Sequence, residues 1–247
     1  MINLEQYSFS YDNEHSIFNN LNLNIKVGSL VCLVIPSGAG KTTLFNILKN
    51  KNSSKKCLFM PSNLKAYFGS DTIINCLINI AKKKQIKGIH DFITKLCNRY
   101  YIKEENLYQQ AQNINDFELA KVSLLLIELI SPDLVVFDNT YLFYNKRDQN
   151  YLFAKLKLMH QQLGNTILYL THNLTHAMYF NHLGIIPNGE LVLYGKTKAV
   201  LKETQTLTKL KLTLPFYVNL SSNLMLYKLI DKVGYTNKEV GDLLWKE

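Results

Sequence analysis

The 247 residues predict an α/β fold, and three observations carry that prediction. Apolar runs of strand length at 30–35, 132–138 and 166–173 read as buried strands, and the first is apolar on both faces, as central parallel strands are. Two earlier runs, 2–9 and 17–25, nearly alternate apolar and polar residues, which suits an antiparallel pair. The chain from 71 to 131 carries helical periodicity instead. An N-terminal antiparallel β subdomain, a parallel core sheet and a helical subdomain follow from these three patterns.

Composition bounds the rest. Hydrophobic residues make up 47% and charged residues 19%, enough apolar material for a core and too much for a disordered or collagen-like chain. The formal net charge is +9, yet 26 of the 28 basic residues are Lys, and Asn also reaches 26. That bias reads as an AT-rich coding genome rather than a surface selected for nucleic acid, because Arg is the preferred residue for bidentate phosphate and guanine contacts. Cys32, Cys57, Cys76 and Cys97 form no CxxC and read as structural thiols of a reducing compartment. The N-terminus shows no signal-peptide pattern. The longest apolar stretch, 122–130, is broken by Ser123 and Glu128 and falls short of the ~18 to 20 residues that span a bilayer. The expectation is a soluble, cytoplasmic protein.

Each element then has its own reason. Residues 26–28, Lys-Val-Gly, turn the chain from the hairpin into the 30–35 strand. Directly after that strand stands Pro36-Ser37-Gly38-Ala39-Gly40-Lys41-Thr42-Thr43. A strand, a Gly-containing loop and Gly-Lys-Thr-Thr opening a helix form the context of a phosphate-binding P-loop. The glycines let successive N–H groups face phosphate oxygens, and the helix aims its positive end at the same oxygens. In that context Ser37, Gly38, Ala39 and Gly40 cradle the phosphates. Lys41 reaches the β- and γ-phosphates, Thr42 ligates Mg²⁺ and Thr43 bonds a more interior phosphate. One departure is that the first Gly of GxxxxGK[ST] falls on Ile35.

Pro132-Asp133-Leu134-Val135-Val136-Phe137-Asp138 is a buried strand ending in an acid that can hold the Mg²⁺ shell. Thr166 to Asn173 is another apolar strand, ending in His172. Residues 183–195 read as two short strands around the Asn188-Gly189 turn. In the helical region, Asp71 is the expected N-cap of a helix from Thr72 to Ala81, and Lys82-Lys83-Lys84 close it with charge that suits the dipole. Helices over 88–97 and 117–130 follow. Beyond 205, a helix over 218–233 is expected to stop at Gly234, and Thr236 with Glu239 caps a last helix over 238–245.

In motif order, residues 2 to 205 resemble the ATP-binding subunits of ABC transporters. The P-loop, the strand ending at Asp138 and the strand ending at His172 carry the likeness. The resemblance implies Tyr11 of Phe9-Ser10-Tyr11 as an adenine-stacking residue, Asp138 as a Mg²⁺ residue and His172 as a γ-phosphate contact. The Leu-Pro segment at 214–215, the helix after it, Gly234 and the Thr236-x-x-Glu239 start resemble the C-terminal extension of energy-coupling factor (ECF) ATP-binding subunits. The expected organisation is an ABC-type domain over 1–205, with its helical subdomain at about 70–131, and a helical extension over 206–247.

The departures fall on hydrolysis. The family's Glu after the Asp is Asn139 here, a neutral amide that orients water but cannot act as a carboxylate base. The family's Gln falls on Ser62. The LSGGQ signature aligns with Ile114-Asn115-Asp116-Phe117-Glu118, which lacks glycines and adds acids where phosphate sits. The loop Asp maps near Asn145. The resemblance therefore implies an ATP- and Mg²⁺-binding subunit with weak or absent hydrolysis. It implies a peripheral place on the cytoplasmic face of a membrane, paired with a second ATP-binding subunit and an integral membrane coupling subunit. A regulatory or scaffold pseudo-ATPase that senses ATP is the alternative reading. Nucleic acid is not an expected partner.

Overall fold

The alternating and doubly apolar runs form strands where the pattern places them. The computed structural model describes residues 2–11, 16–52, 56–83, 85, 87–140 and 145–245. Lys84, at the end of the expected lysine run, lies outside them. The chain divides into two compact units: Met1–Ile25, Val31–Lys41 and Thr171–Glu247 in the first, Lys26–Leu30 and Thr42–Leu170 in the second.

In the first unit, β1 (Ile2–Ser10) and β2 (Ser16–Ile25) pair antiparallel, with Ile2 opposite Ile25 and Phe9 opposite Phe18. Their inward residues Ile2, Leu4, Phe18, Leu21, Leu23 and Ile25 are all buried. β3 (Leu30–Val34) is buried along its whole length, and it pairs in parallel with β7 (His182–Ile185), Val31 opposite His182. β8 (Leu193–Lys196) returns antiparallel beside β7. The connection between β7 and β8 is wider than a two-residue turn, and Gly189 in it runs at φ 79. A Cβ there would sit 2.1 Å from the Ile17 carbonyl oxygen, so close backbone approach as well as the turn fixes this glycine.

In the second unit, α1 (Lys41–Lys51), which belongs to it from Thr42 on, leads to β4 (Cys57–Met60), and β4, β5 (Leu134–Asp138) and β6 (Thr166–Thr171, in this unit up to Leu170) run parallel, with Val135 between Leu58 and Ile167. β5 and β6 are buried throughout, as runs apolar on both faces must be. The helical stretch consists of α2 (Leu64–Phe68), α3 (Ile73–Lys83), α4 (Ile89–Tyr100), α5 (Glu104–Leu107) and α6 (Asp116–Ile130). α7 (Lys146–Leu163) connects β5 to β6. The cap of α3 differs from expectation. Thr72, not Asp71, occupies the cap position, its hydroxyl accepting from Asn75 N at 3.4 Å, while the Asp71 carboxylate accepts from Thr72 N at 2.8 Å. Gln109 O accepts from Ile73 N, satisfying another free donor of the first turn.

The C-terminal part of the first unit holds α8 (Thr197–Leu201), α9 (Thr204–Lys209), α10 (Phe216–Leu226) and α11 (Asn237–Leu244). α10 ends at Leu226, seven residues before the expected Val233. Lys228, at φ 59, closes it with paired bonds from Lys228 N to Met225 O and Leu229 N to Leu224 O, a Schellman stop made without glycine. Gly234 serves packing instead. Its N–H donates to Ser221 Oγ, and a Cβ there would meet Val240 Cγ2 at 2.7 Å. The Thr236 hydroxyl caps α11 by accepting from Glu239 N at 3.2 Å, and Glu239 reaches back to accept from Tyr235 N at 2.7 Å. No helix among the described residues is long and apolar enough to cross a membrane.

Candidate functional site

The loop after β3 begins as a continuation of the strand. Ile35 is fully buried, its N–H donates to Thr171 O at 2.8 Å, and it is not among the residues at positive φ, so the position where the consensus has glycine accepts a side chain. The loop then tightens, with Ala39 N donating to Pro36 O at 3.1 Å. Gly38 at φ 81 and Gly40 at φ 89 take left-handed conformations that disfavour any Cβ. Space around Gly38 is open to 4 Å, whereas a Cβ on Gly40 would lie 2.4 Å from Ile17 Cγ2. Lys41 starts α1, whose first turn has no acidic residue. The dipole of that helix favours an anion at this end.

Lys41 ends the first unit's share of this segment, and Thr42 begins the second unit's. There the Thr42 hydroxyl donates to Asp138 Oδ2 at 3.0 Å, and Asp138 is only 3% exposed at the end of β5. The hydroxyl that hands its hydrogen to a buried carboxylate keeps its oxygen lone pairs for a cation. This donor set fits Mg²⁺. No group of three or more His, Cys, Asp or Glu is arranged to hold a metal among the described residues, and Mg²⁺ characteristically takes one or two protein oxygens with phosphate and water completing its shell. Thr43, the residue after Thr42, is buried.

Asn139 follows in an unusual backbone state. It is 4% exposed, at φ 49, and its N–H donates to Leu170 O at 2.8 Å. Asn tolerates this left-handed region better than most residues. The next residue is one that the sequence patterns did not single out. The buried Thr140 hydroxyl lies 2.9 Å from Met60 O and 3.1 Å from Pro61 O, fastening the end of β5 to the end of β4. Ser62 follows that fastening. It lines a cleft of about 260 Å³ with Asn63, Lys65, Asp116, Leu119 and Thr140. A strand-end hydroxyl after Asp-Asn was the available signal for Thr140, but its partners are some 80 residues away.

The segment 114–118 forms the start of α6. Ile114 is buried, and the Asn115 side chain caps the helix by accepting from Glu118 N at 2.9 Å. The acids lie in its first turn, where the helix dipole favours them. Both have cationic partners within the chain. Glu118 pairs with Lys121 at 2.5 Å, and Lys121, 5% exposed, also donates to Tyr101 O. Asp116 lies 3.4 Å from Lys65. The positive end of this helix is therefore spent on its own side chains. Asn145 caps α7 in the same way, accepting from Arg147 N at 2.8 Å.

In the first unit, His172 lines a cleft of about 280 Å³ together with Pro36 and Ser37. His176, also unremarked in the sequence patterns, sits one turn on. Its Nδ1 is 2.9 Å from the Thr171 hydroxyl, and it is 1% exposed. Burial, with His172 nearby as a lesser cause, pushes its imidazole down to about 4. It is neutral at neutral pH. The unfolded chain takes up a proton near pH 6.5 and the native chain does not, so His176 contributes stability that is present above pH 6.5 and lost as pH falls toward 4. The loss expected is on the order of 3 kcal/mol. Melting temperatures between pH 7.5 and 4 will show it, and His176→Gln will flatten the profile; an unchanged profile in that variant would refute the assignment.

Tyr11, just past β1, is 69% exposed and meets Phe9 edge-on at 5.0 Å. Among the thiols, burial pushes Cys97 up to about 11 and Cys32 higher still, so both stay protonated within the core.

The fold these elements build is that of the ABC ATP-binding cassette. The structure of cbiO1 from Clostridium perfringens, part of the ABC transporter complex cbiONQ, matches with a TM-score of 0.68 at 18% identity, covering 89% of this chain and 98% of that one. The dimeric bacterial ABC transporter cassette MJ0796 matches with a TM-score of 0.65 at 17% identity, covering 80% and 99%. In sequence, the chain is similar to the energy-coupling factor transporter ATP-binding protein EcfA1 of Mesomycoplasma hyopneumoniae strain J, at 22% identity over 100% of this chain and 98% of that protein. The EcfA1 protein of Fusobacterium nucleatum subsp. nucleatum is 22% identical over 83% and 86%. No protein-family model matches the chain.

Proposed function

We propose that this protein is the ATP-binding subunit of an ECF-type ABC importer that holds Mg-ATP at 36–43 and hydrolyses it weakly or not at all. The observation that carries the reading is the Thr42–Asp138 hydrogen bond directly behind a Gly-Lys-Thr-Thr helix start. It joins a hydroxyl and a buried carboxylate as a Mg²⁺ site requires. Lys41 holds the outer phosphates, Thr43 an inner one, and the exposed ring of Tyr11 stacks on the adenine. Magnesium would supply charge neutralisation between the outer phosphates; Thr42 and Asp138 would hold it.

Weak hydrolysis follows from what stands in for the activating groups. Asn139 orients a water without accepting its proton. Ser62 is too short to reach the metal except through water. The start of α6, its dipole capped by Asn115 and its acids in place, offers little to a phosphate on a neighbouring subunit. In this reading the chain lies on the cytoplasmic face of the membrane, paired with a second ATP-binding subunit and an integral membrane coupling subunit. ATP acts chiefly by favouring the closed pair. Residues 1–205 form the ATP-binding domain, with 70–131 as its helical subdomain, and 206–247 the extension that helps pairing. The exposed Phe216, Leu226, Tyr227 and Trp245 give that extension an apolar surface suited to it.

Titration of the full-length protein with Mg-ATP tests the reading. Micromolar binding is expected, with Lys41→Ala weakening it about a hundredfold, since a buried charge-assisted phosphate contact is worth roughly 1.5–3 kcal/mol. Failure of the unaltered protein to bind ATP would end the proposal.

A further inference from the structure

The cleft beside Ser37 and His172 has a third wall that the P-loop pattern does not include. Lys211 and Thr213, from the segment after α9, line it. Lys211 stands where α9 stops. It takes φ 58, its N–H donates to Thr208 O, and Leu212 N donates to Leu207 O, the paired bonds of a Schellman stop. Glycine is the usual residue there. Lys228 ends α10 by the same device and lines no part of this cleft. The left-handed lysine alone is therefore not informative; its position beside Ser37 and His172 is.

The chemistry of the cleft is one-sided. Among the described residues no carboxylate lines it, whereas Asp116 lines the cleft at Ser62 and Glu239 and Asp242 line the one beside α11. The residues that line it carry groups able to donate: the hydroxyls of Ser37 and Thr213, the Lys211 ammonium, the His172 ring and the Asn173 amide. The Asn173 oxygen already accepts from Thr175 N at 2.9 Å, which leaves its NH₂ as the free face. A donor-rich cleft with a lysine and no acid is matched to a phosphate.

We propose that Lys211 is a further nucleotide-binding residue, contacting the terminal phosphate of ATP from the side of the P-loop that Ser37 and His172 flank. The proposal rests on the reading of 36–43 as an ATP site. It makes the segment after α9 a direct sensor of whether the third phosphate is present, since that phosphate distinguishes ATP from ADP in this cleft.

The test uses the full-length protein with Mg-ATP and Mg-ADP as probes. Lys211→Ala is expected to weaken Mg-ATP about tenfold and Mg-ADP less than twofold, the size of one charge-assisted contact. Lys211→Arg keeps the charge and should stay near the parent affinity. Lys211→Gly separates contact from structure. It suits the left-handed stop, so its melting temperature should equal or exceed the parent's while its ATP affinity falls as in Lys211→Ala. Parent ATP affinity in both the Ala and Gly variants, with Lys41→Ala still defective, would overturn the proposal and leave the ATP site standing. Equal losses for ATP and ADP would also overturn it. No nucleotide binding by the unaltered protein would overturn the ATP site and this proposal together.

Discussion

Gly40→Ala is expected to abolish measurable Mg-ATP binding and to lower stability by about 3 kcal/mol. Two costs add. At φ 89 an alanine adopts a left-handed backbone, worth roughly 1–2 kcal/mol. Its Cβ would also sit 2.4 Å from Ile17 Cγ2 and 3.1 Å from Phe18 Cζ. Phe18 is fully buried in the β1–β2 pair, so it has nowhere to move without disturbing the core, and overpacking of this kind costs about 1–3 kcal/mol. Any relief by rotating the loop at residue 40 misaims the N–H groups a phosphate needs, so binding is lost either way. Gly38 is the control. Its φ of 81 carries the backbone cost, but nothing lies within 4 Å of its added Cβ, so Gly38→Ala should lose roughly 1 kcal/mol and retain part of its binding. Urea unfolding and ATP titration of both variants decide this. Parent affinity in Gly40→Ala would mean that the loop does not cradle phosphate in this conformation.

That contrast between two glycines two residues apart shows what the sequence could and could not convey. Strand, loop and helix start are contiguous, so the P-loop segment, β3 and the terminal acid of β5 were legible as local patterns. The Thr236–Glu239 cap was legible for the same reason. What stayed hidden depends on residues brought together by the fold. The clash that makes Gly40 irreplaceable comes from Ile17. Thr140 is meaningful only because the ends of β4 and β5 adjoin. Gly234 looked like a helix stop and is held by Val240, while α10 stops at Lys228, a residue type without a strong stop signal. Thr72 rather than Asp71 caps α3 because the Asp71 carboxylate is taken by Thr72 N and the Asn75 amide. Ile35 looked like a defect in the glycine pattern. Bonded to Thr171 directly after β3 and without a positive φ, it needs no glycine.

Asn139→Glu should raise single-turnover ATP hydrolysis at least tenfold while costing about 1 kcal/mol in stability. A positioned carboxylate that takes a proton from attacking water is worth roughly 10²–10⁴ in rate. The gain will fall at the low end for two reasons. Asn139 occupies φ 49, where Asn is tolerated and Glu less so, hence the stability cost and a side chain that starts from a strained backbone. In the proposed reading, Ser62 and the 114–118 segment also remain in place, and neither supplies the groups that would complete the phosphate cage. Asp at 139 provides the comparison, because it tolerates the left-handed backbone nearly as well as Asn and carries a carboxylate one methylene shorter. If Asn139→Glu accelerates hydrolysis and Asn139→Asp does not, reach as well as charge limits the native site. If neither variant accelerates it and both still bind Mg-ATP, the missing base is not what holds turnover down, and the defect lies with Ser62 and the start of α6. If the unaltered protein already turns over ATP as fast as the Glu variant, Asn139 orients the water well enough on its own. The degeneracy inferred from this position would then be wrong.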